Sequence, residues 1–220
     1  MPTPESISLA QIRESFYVAV VCDVLDQLGY RHQSPRIAWR QVTGSKLLAG
    51  RCKTTLWVDM AHEDPQPYAL ELQAVDSCRP DDVIIAAAAG SMRSGIWGEL
   101  LTQAAMNRGC VGALVDGAVR DVAKMARMGF PCWARGTSPY DSLHRQRVVD
   151  IDVPVEVGGV VFPPGALVLA DTDGVVVVPP EVEPEVLVRA WEKIHAENEV
   201  RDAIRQGMKA TDAFAKYGVL

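Results

Sequence analysis

Two short, almost wholly apolar runs constrain the fold most, because each leads through a glycine-bearing turn into a segment of helical character. The first run is DDVIIAAAA, residues 81–89, and the second is VGALVDG, residues 111–117. Such runs are typical of buried strands, and strands that alternate with helices indicate an α/β sheet with parallel neighbours. Open sheets of this kind bind ligands at the edge where strands end and helices begin, so we expect a site beside these two turns.

The remaining patterns complete a single α/β domain over residues 1–220, with a mixed sheet closed by C-terminal helices. Ser8 is expected to cap the first helix and Gly29 to end it. Beyond residue 140, Val-rich runs between glycine and proline turns predict a β meander, with a hairpin at Asp173-Gly174. We predict a loop over 90–97, further strands over 51–60 and 131–136, and helices over 8–28, 67–78, 98–109, 121–129 and 183–207, with a helical tail to residue 220.

Charge and cysteine content exclude several classes of protein. The net charge is −6 and the basic residues are scattered, so we expect no nucleic-acid partner. Five cysteines without a CxxC pair argue against a disulfide framework or zinc knuckle, and favour small core residues in a reducing compartment. The N-terminal MPTPESISLAQIRESF is unlike a signal or transit peptide, and no apolar run approaches the roughly 20 residues of a membrane span. We therefore expect a cytoplasmic protein without membrane contact.

The start of the helix over 98–109 is a candidate anion site. The backbone N–H groups of Leu100 and Leu101 fall in its first turn, where they have no intrahelical acceptor, and such a terminus binds carboxylates and phosphates. Glu99 lies in the same turn. It is either a functional acid or a first-turn acid that the helix dipole favours, and the sequence leaves both interpretations open.

The second turn carries an adjacent Arg120 and Asp121 in DGAVRD. A guanidinium binds a carboxylate through two parallel hydrogen bonds, and an aspartate can ligate Mg²⁺ or Mn²⁺. The alternative is that Asp121 caps a helix and Arg120 is a surface residue. Asp116 in the same turn is either a supporting acid of the site or a structural turn residue.

The stretch GELLTQAAMNRGCVGALVDGAVRD, residues 98–121, closely resembles the RraA-like family, as do the flanking 21–29 and 153–181. That family includes metal-dependent 4-hydroxy-4-methyl-2-oxoglutarate / 4-carboxy-4-hydroxy-2-oxoadipate aldolases and the regulator of ribonuclease E activity. The resemblance implies a β/β/α swivelling fold and a homotrimer, or a hexamer made of trimers. It also implies an active site between subunits.

The resemblance assigns roles within that site. Arg120 would bind the pyruvyl group, Asp121 would ligate Mg²⁺ or Mn²⁺, and the helix start at Gly98, Leu100 and Leu101 would hold the substrate. The activity implied is retro-aldol cleavage of 4-hydroxy-2-oxo acids to pyruvate, or decarboxylation of oxaloacetate, since both reactions leave the same enolate.

The resemblance implies two further acids for the same site. Glu99 would orient a metal-bound water that takes the proton of the 4-hydroxyl group. An acid from a neighbouring subunit's C-terminal helix would complete the site, with Glu197 and Glu199 as the candidates.

One position departs from the aldolases, which carry an acid three residues after the metal-binding aspartate, where this chain has Lys124. Because Asp121 and Lys124 are three apart on a helix, we expect them to pair and metal binding to weaken. The alternative function is therefore a non-catalytic regulator that binds a protein such as a ribonuclease. A related activity on another acid is a third possibility, with the segments 90–97 and 136–146 setting the preference.

The long helix over 183–207 carries apolar residues at 186, 187, 190, 194 and 204. Because the implied site needs an acid from a second subunit, we expect this helix to pack across a subunit boundary.

Overall fold

The computed structural model describes residues 7–44 and 47–218. Over these residues the helices are α1 (Leu9–Ser15), α2 (Val18–Gln27), α3 (Ala69–Asp76), α4 (Glu99–Asn107), α5 (Val122–Met128), α6 (Glu183–Arg205) and α7 (Ala210–Tyr217). The strands are β1 (Arg40–Thr43), β2 (Leu48–Asp59), β3 (Asp82–Ala87), β4 (Gly95–Trp97), β5 (Gly112–Val119), β6 (Cys132–Thr137), β7 (Gln146–Ile151), β8 (Val155–Val157), β9 (Val160–Phe162), β10 (Leu167–Ala170) and β11 (Val175–Val178).

The two apolar runs form adjacent parallel strands, as predicted. β3 and β5 pair from Val83 with Gly112 to Ala86 with Val115. The main sheet has the order β1-β6-β5-β3-β2-β10-β11, with β4 beside β5 and β7 beside β2. Strands β2, β3, β5 and β6 run parallel, and the outer strands β1, β10 and β11 are antiparallel to their neighbours. The predicted mixed sheet in a single α/β domain is confirmed.

Helices cover both faces of this sheet. On one face α3, α4 and α5 pack in series over a core that includes Trp97, Met125 and Phe130. On the other face α2 packs against α6 and β11. The apolar positions of α6 up to Ile194 are buried in that second core, so most of this stripe is used within the chain, whereas Ile204 is exposed. The expected packing of α6 across a subunit boundary stays a prediction.

The helix predicted over 8–28 is wrong in one respect, because the structure breaks it at Phe16 and Tyr17, which are extended. The break turns the Phe16 ring into the core, 6.4 Å from the ring of Trp191. The N–H of Val18 then donates to Asp171 Oδ2 at 2.8 Å, so a carboxylate from a distant hairpin caps α2. The capping of α1 by Ser8 is confirmed by its hydrogen bonds with Gln11.

The predicted β meander is also corrected. β7 pairs with β2, and its Val148 is buried in the core that includes Trp97. β8 and β9 form a separate two-stranded sheet, whose apolar residues are buried together in another cluster. Only β10 and β11 form the predicted hairpin, with Ala170 opposite Val175. Strands β1 and β4 were not predicted, and β4 lies where a loop was expected. Both are four residues or fewer and are formed through pairing with β6 and β5.

Two predictions lie partly outside the described residues. The expectation that the N-terminal segment is not a signal peptide includes residues 1–6, and the predicted helical tail includes residues 219–220. The five cysteines carry free thiols, and all but the half-buried Cys22 are buried, as expected of core residues. In the ranges 7–44 and 47–218, no helix is long and apolar enough to cross a membrane.

Candidate active site

The two turns identified in the sequence meet at one cavity of about 290 Å³. Parallel pairing of β4 with β5 places the end of β4 beside the turn that follows β5, and the Arg120 N–H donates to Trp97 O at 2.9 Å. The start of α4 and the start of α5 therefore lie on the same rim. The cavity is lined by Tyr68, Glu71, Leu72, Gly95, Ile96, Gly98, Glu99, Leu100, Leu101, Arg120, Asp121, Asp141 and Ser142.

Asp121 does not cap its own helix, although it occupies the capping position of α5. Its backbone is left-handed, with φ of 55°, a conformation that is costly for a residue with a side chain and is common at functional sites. The carboxylate turns instead toward α4, where the Glu99 N–H approaches Asp121 Oδ2 at 3.4 Å. Gly98 makes room for it, because a Cβ there would lie 2.9 Å from Asp121 Oδ2.

The N-terminus of α4 opens into the cavity. The first hydrogen bond of the helix runs from the Thr102 N–H to Gly98 O at 3.0 Å, so the N–H groups of Glu99, Leu100 and Leu101 have no intrahelical acceptor. The Asp121 carboxylate approaches the first of these groups. Leu100 and Leu101 both line the cavity, and Leu100 is 79% exposed, so a small anion can reach this end of the helix.

Arg120 is held by an acid that the sequence motifs did not single out. Its Nη2 lies 2.5 Å from Asp141 Oδ2, and Asp141 Oδ1 accepts hydrogen bonds from the Tyr68 hydroxyl at 2.6 Å and the Leu143 N–H at 2.8 Å. Burial alone would raise the pKa of Asp141, but these hydrogen bonds and the charge of Arg120 lower it below its ordinary value. Asp141 lies on the loop before β7, 20 residues from Asp121, where no local pattern marks it.

Lys124 pairs with Glu99 rather than with Asp121, which corrects the expectation from helical spacing. Its Nζ donates to Glu99 Oε2 at 2.6 Å. The left-handed backbone of Asp121 turns its side chain toward α4, and Lys124 then spans the gap between α5 and α4. The hydrogen bond with Glu99 raises the pKa of Lys124, with a smaller contribution from Asp121.

Glu71 is the second acid that the sequence motifs missed. It lies in the first turn of α3, is only 8% exposed, and its Oε2 atom has no hydrogen-bond partner among the described residues. Burial raises the pKa of Glu71 to about 8; the charge of Asp141 raises it further and that of Arg120 opposes this. This cavity acid therefore keeps its proton at neutral pH. In the sequence it is an acid in the first turn of a helix, which marks it as nothing unusual.

These features agree with the resemblance to the RraA-like family. The family profile described as RraA-like: Aldolase/RraA matches residues 18–177. The chain belongs to the RraA-like family. Within this family, the protein of Halalkalibacterium halodurans provisionally named 4-hydroxy-4-methyl-2-oxoglutarate aldolase is 36% identical over 144 residues, which cover 65% of this chain and 68% of that protein.

Two further comparisons bear on the family and the fold. The Protein DlpA of Legionella pneumophila is 28% identical over 65% of this chain, but the match spans only 23% of DlpA. The crystal structure of Streptomyces coelicolor RraAS2, titled an unusual member of the RNase ES inhibitor RraA protein family, superposes with a TM-score of 0.75 at 30% identity. The superposition covers 87% of this chain and 96% of the RraAS2 chain. The expected RraA-like fold is confirmed.

Three predicted acids of this RraA-like chain lie away from the cavity lining. Asp116 is 2% exposed and is ion-paired with Arg135. Glu197 accepts a hydrogen bond from the Tyr17 hydroxyl beside the end of α6. Glu199 is exposed on the same helix. For Glu197 or Glu199 to take part in an active site, a second subunit would have to bring it to the cavity.

The donor set allows a metal site with few protein ligands. Over residues 7–44 and 47–218 there is no group of three or more His, Cys, Asp or Glu side chains placed to hold a metal ion. Of the cavity acids, Glu99 and Asp141 are ion-paired and Glu71 is protonated, so Asp121 is the carboxylate best placed to meet an ion. Mg²⁺ is usually bound by one or two carboxylates together with water and substrate oxygens, and a single Asp121 carboxylate fits that pattern.

Proposed function

We propose that this RraA-like protein is a divalent-metal-dependent lyase. It would cleave 4-hydroxy-2-oxo acids to pyruvate, decarboxylate oxaloacetate, or do both. The observation that carries the proposal is the convergence of Arg120, Asp121 and the free N-terminus of α4 on one small cavity. The provisional aldolase name of the Halalkalibacterium halodurans relative supports it.

The proposed roles combine this geometry with the family resemblance. Arg120 binds the carboxylate of the 2-oxo acid and adds positive charge near the oxygen on which negative charge develops. The amides of Leu100 and Leu101 hold a second anionic group. Asp121 would hold Mg²⁺ or Mn²⁺, which when bound supplies a Lewis acid for the 2-oxo oxygen.

Two ion pairs set conditions on this chemistry. Asp141 already pairs with Nη2 of Arg120, so the substrate must use the remaining N–H groups of the guanidinium or displace Asp141. Glu99 must give up or share its bond with Lys124 before it can accept the proton of a substrate hydroxyl through water. We therefore expect slow turnover and a need for high Mg²⁺ concentration.

The test is release of pyruvate from oxaloacetate and from 4-hydroxy-2-oxo acids, with Mg²⁺, with Mn²⁺ and with EDTA. Activity should require the metal and should be lost in Asp121→Ala, while the matched control Asp150→Ala at an exposed position on β7 keeps it. If no acid yields pyruvate at any metal concentration, the proposal fails.

A second candidate is a regulator that binds a protein partner such as a ribonuclease. It is favoured by the Lys124 to Glu99 pair, which ties up an acid of the site, and by the likeness to RraAS2. A purified E-type ribonuclease retained by the immobilised protein, with lowered RNA cleavage, is the expected result. Absence of retention at micromolar concentrations would count against it.

A homotrimer or hexamer accompanies either candidate. Tyr17, Val200 and Ile204 border an apolar groove at the end of α6, where a second subunit would bring Glu197 or Glu199 toward a neighbouring cavity. Light scattering at micromolar concentration should give the mass of a trimer or its multiple, and a monomer would contradict this. We further expect the protein to act in the cytoplasm.

A further inference from the structure

Glu71 stands between the substrate cavity and a smaller inner cavity. The residue lines both cavities, and the other residues that line the inner cavity include Trp57 and Trp97. The residue is only 8% exposed, and Oε2 has no hydrogen-bond partner among the described residues. A buried polar atom without a partner is costly, so one that borders a site for a polar ligand calls for a functional explanation.

The proposed reactions end with a protonation for which no donor has been assigned so far. Cleavage of a 4-hydroxy-2-oxo acid, or loss of CO₂ from oxaloacetate, leaves the enolate of pyruvate. Its C3 atom must then receive a proton. Glu99 and Asp141 are ion-paired acceptors, and the hydroxyl of Tyr68 donates to Asp141.

On the basis of the lyase function proposed above, we propose that Glu71 is the general acid that protonates C3 of the pyruvate enolate. The O–H bond of the carboxylic acid breaks, and the electron pair of the enolate forms the new C–H bond with its proton. Glu71 is left as a carboxylate and takes a proton back from water. The reverse step removes a methyl proton from pyruvate, so it can be followed without any cleavage.

Burial supports this role because it disfavours the ionised form, so that Glu71 carries its proton when the enolate forms. The charged groups that bear on Glu71 are Asp141 and Arg120, and their effects on its pKa oppose each other, which leaves burial as the main cause. General acids work best when their pKa lies near the operating pH, and that of Glu71 is about 8.

The experiment measures two rates on wild type, Glu71→Gln and the control Glu156→Gln, whose side chain is exposed on β8. Proton NMR in D₂O follows loss of the pyruvate methyl signal with Mg²⁺, and a separate assay follows consumption of oxaloacetate. In Glu71→Gln the methyl exchange should fall by about 100-fold or more. Oxaloacetate consumption should fall much less, because the enol can leave and become pyruvate in water.

Glu71→Asp keeps an acid on a shorter side chain and should restore part of the exchange, which guards against a general effect of substitution on the fold. Unchanged exchange in Glu71→Gln would overturn the inference, and so would an equal fall in both rates. A wild-type protein that neither consumes a 2-oxo acid nor exchanges pyruvate would overturn the proposed function, and this inference with it.

Discussion

Glu71→Gln should make the protein more stable than wild type at alkaline pH, and the gain should vanish in mild acid. The wild-type side chain is a buried acid whose ordinary pKa of 4.5 is raised to about 8, chiefly by burial. Glutamine has nearly the same shape and no charge. The substitution therefore removes one titration and leaves the packing of α3 nearly unchanged.

The direction in which the free energy of unfolding changes with pH follows from proton binding. Between pH 4.5 and about pH 8 the unfolded chain has lost the Glu71 proton while the folded protein keeps it, so the free energy of unfolding falls as the pH rises. The stability linked to Glu71 is complete below the lower pKa and is lost at the higher one. At about 1.4 kcal/mol per pKa unit, the shift corresponds to roughly 3–5 kcal/mol.

The assay is urea unfolding of wild type and Glu71→Gln at pH 5 and at pH 8.5. The difference in unfolding free energy between the two proteins should change by that amount in favour of the variant at pH 8.5. The other titrating groups are the same in both proteins, so their contributions cancel in this difference. In thermal melts the change is roughly 10 °C for a chain of this length. A difference that stays constant over this range would show that Glu71 is ionised in the folded protein.

Three further substitutions address the other side of the cavity. Lys124→Asp frees Glu99 and adds an acid, so calorimetry should show Mg²⁺ binding at least about tenfold tighter, and an unchanged affinity would mean that the ion lies elsewhere. Arg120→Lys keeps the charge but loses the bidentate grip, so kcat/KM for pyruvate release should fall about 100-fold. Near-native kinetics would remove its assigned role. Gly98→Ala places a Cβ 2.9 Å from Asp121 Oδ2, so the carboxylate must move and Mg²⁺ should bind about tenfold more weakly at an almost unchanged melting temperature. Unaltered affinity would show that this carboxylate does not hold the metal.

The architecture was largely predictable from local patterns. Apolar runs with helical segments between them have few stable arrangements, so the parallel pair β3 and β5 followed from the residues. The site motif was predictable for a similar reason, since Arg120 and Asp121 lie in a turn next to a strand end. The residues at the start of α4 lie in a second such turn, and strand ends share an edge of the sheet.

The partners of those residues were not predictable, because a contact between distant segments leaves no local signal. Helical spacing alone pairs Lys124 with Asp121, but the left-handed backbone of Asp121 turns its carboxylate toward α4, and Lys124 binds Glu99 instead. Asp141 reaches Arg120 from a loop 21 residues away in the sequence.

Glu71 is the clearest case of what only the tertiary structure decided. In the sequence it is an ordinary acid near the start of a helix, where it would be expected to be ionised. The packing of α3 against β7 and α4 removes its side chain from water, and that burial both raises its pKa and places it on the cavity wall. The sequence by itself determined which residue types stand at the strand ends. The surroundings that set their charge and their partners come from segments that meet only in the folded chain.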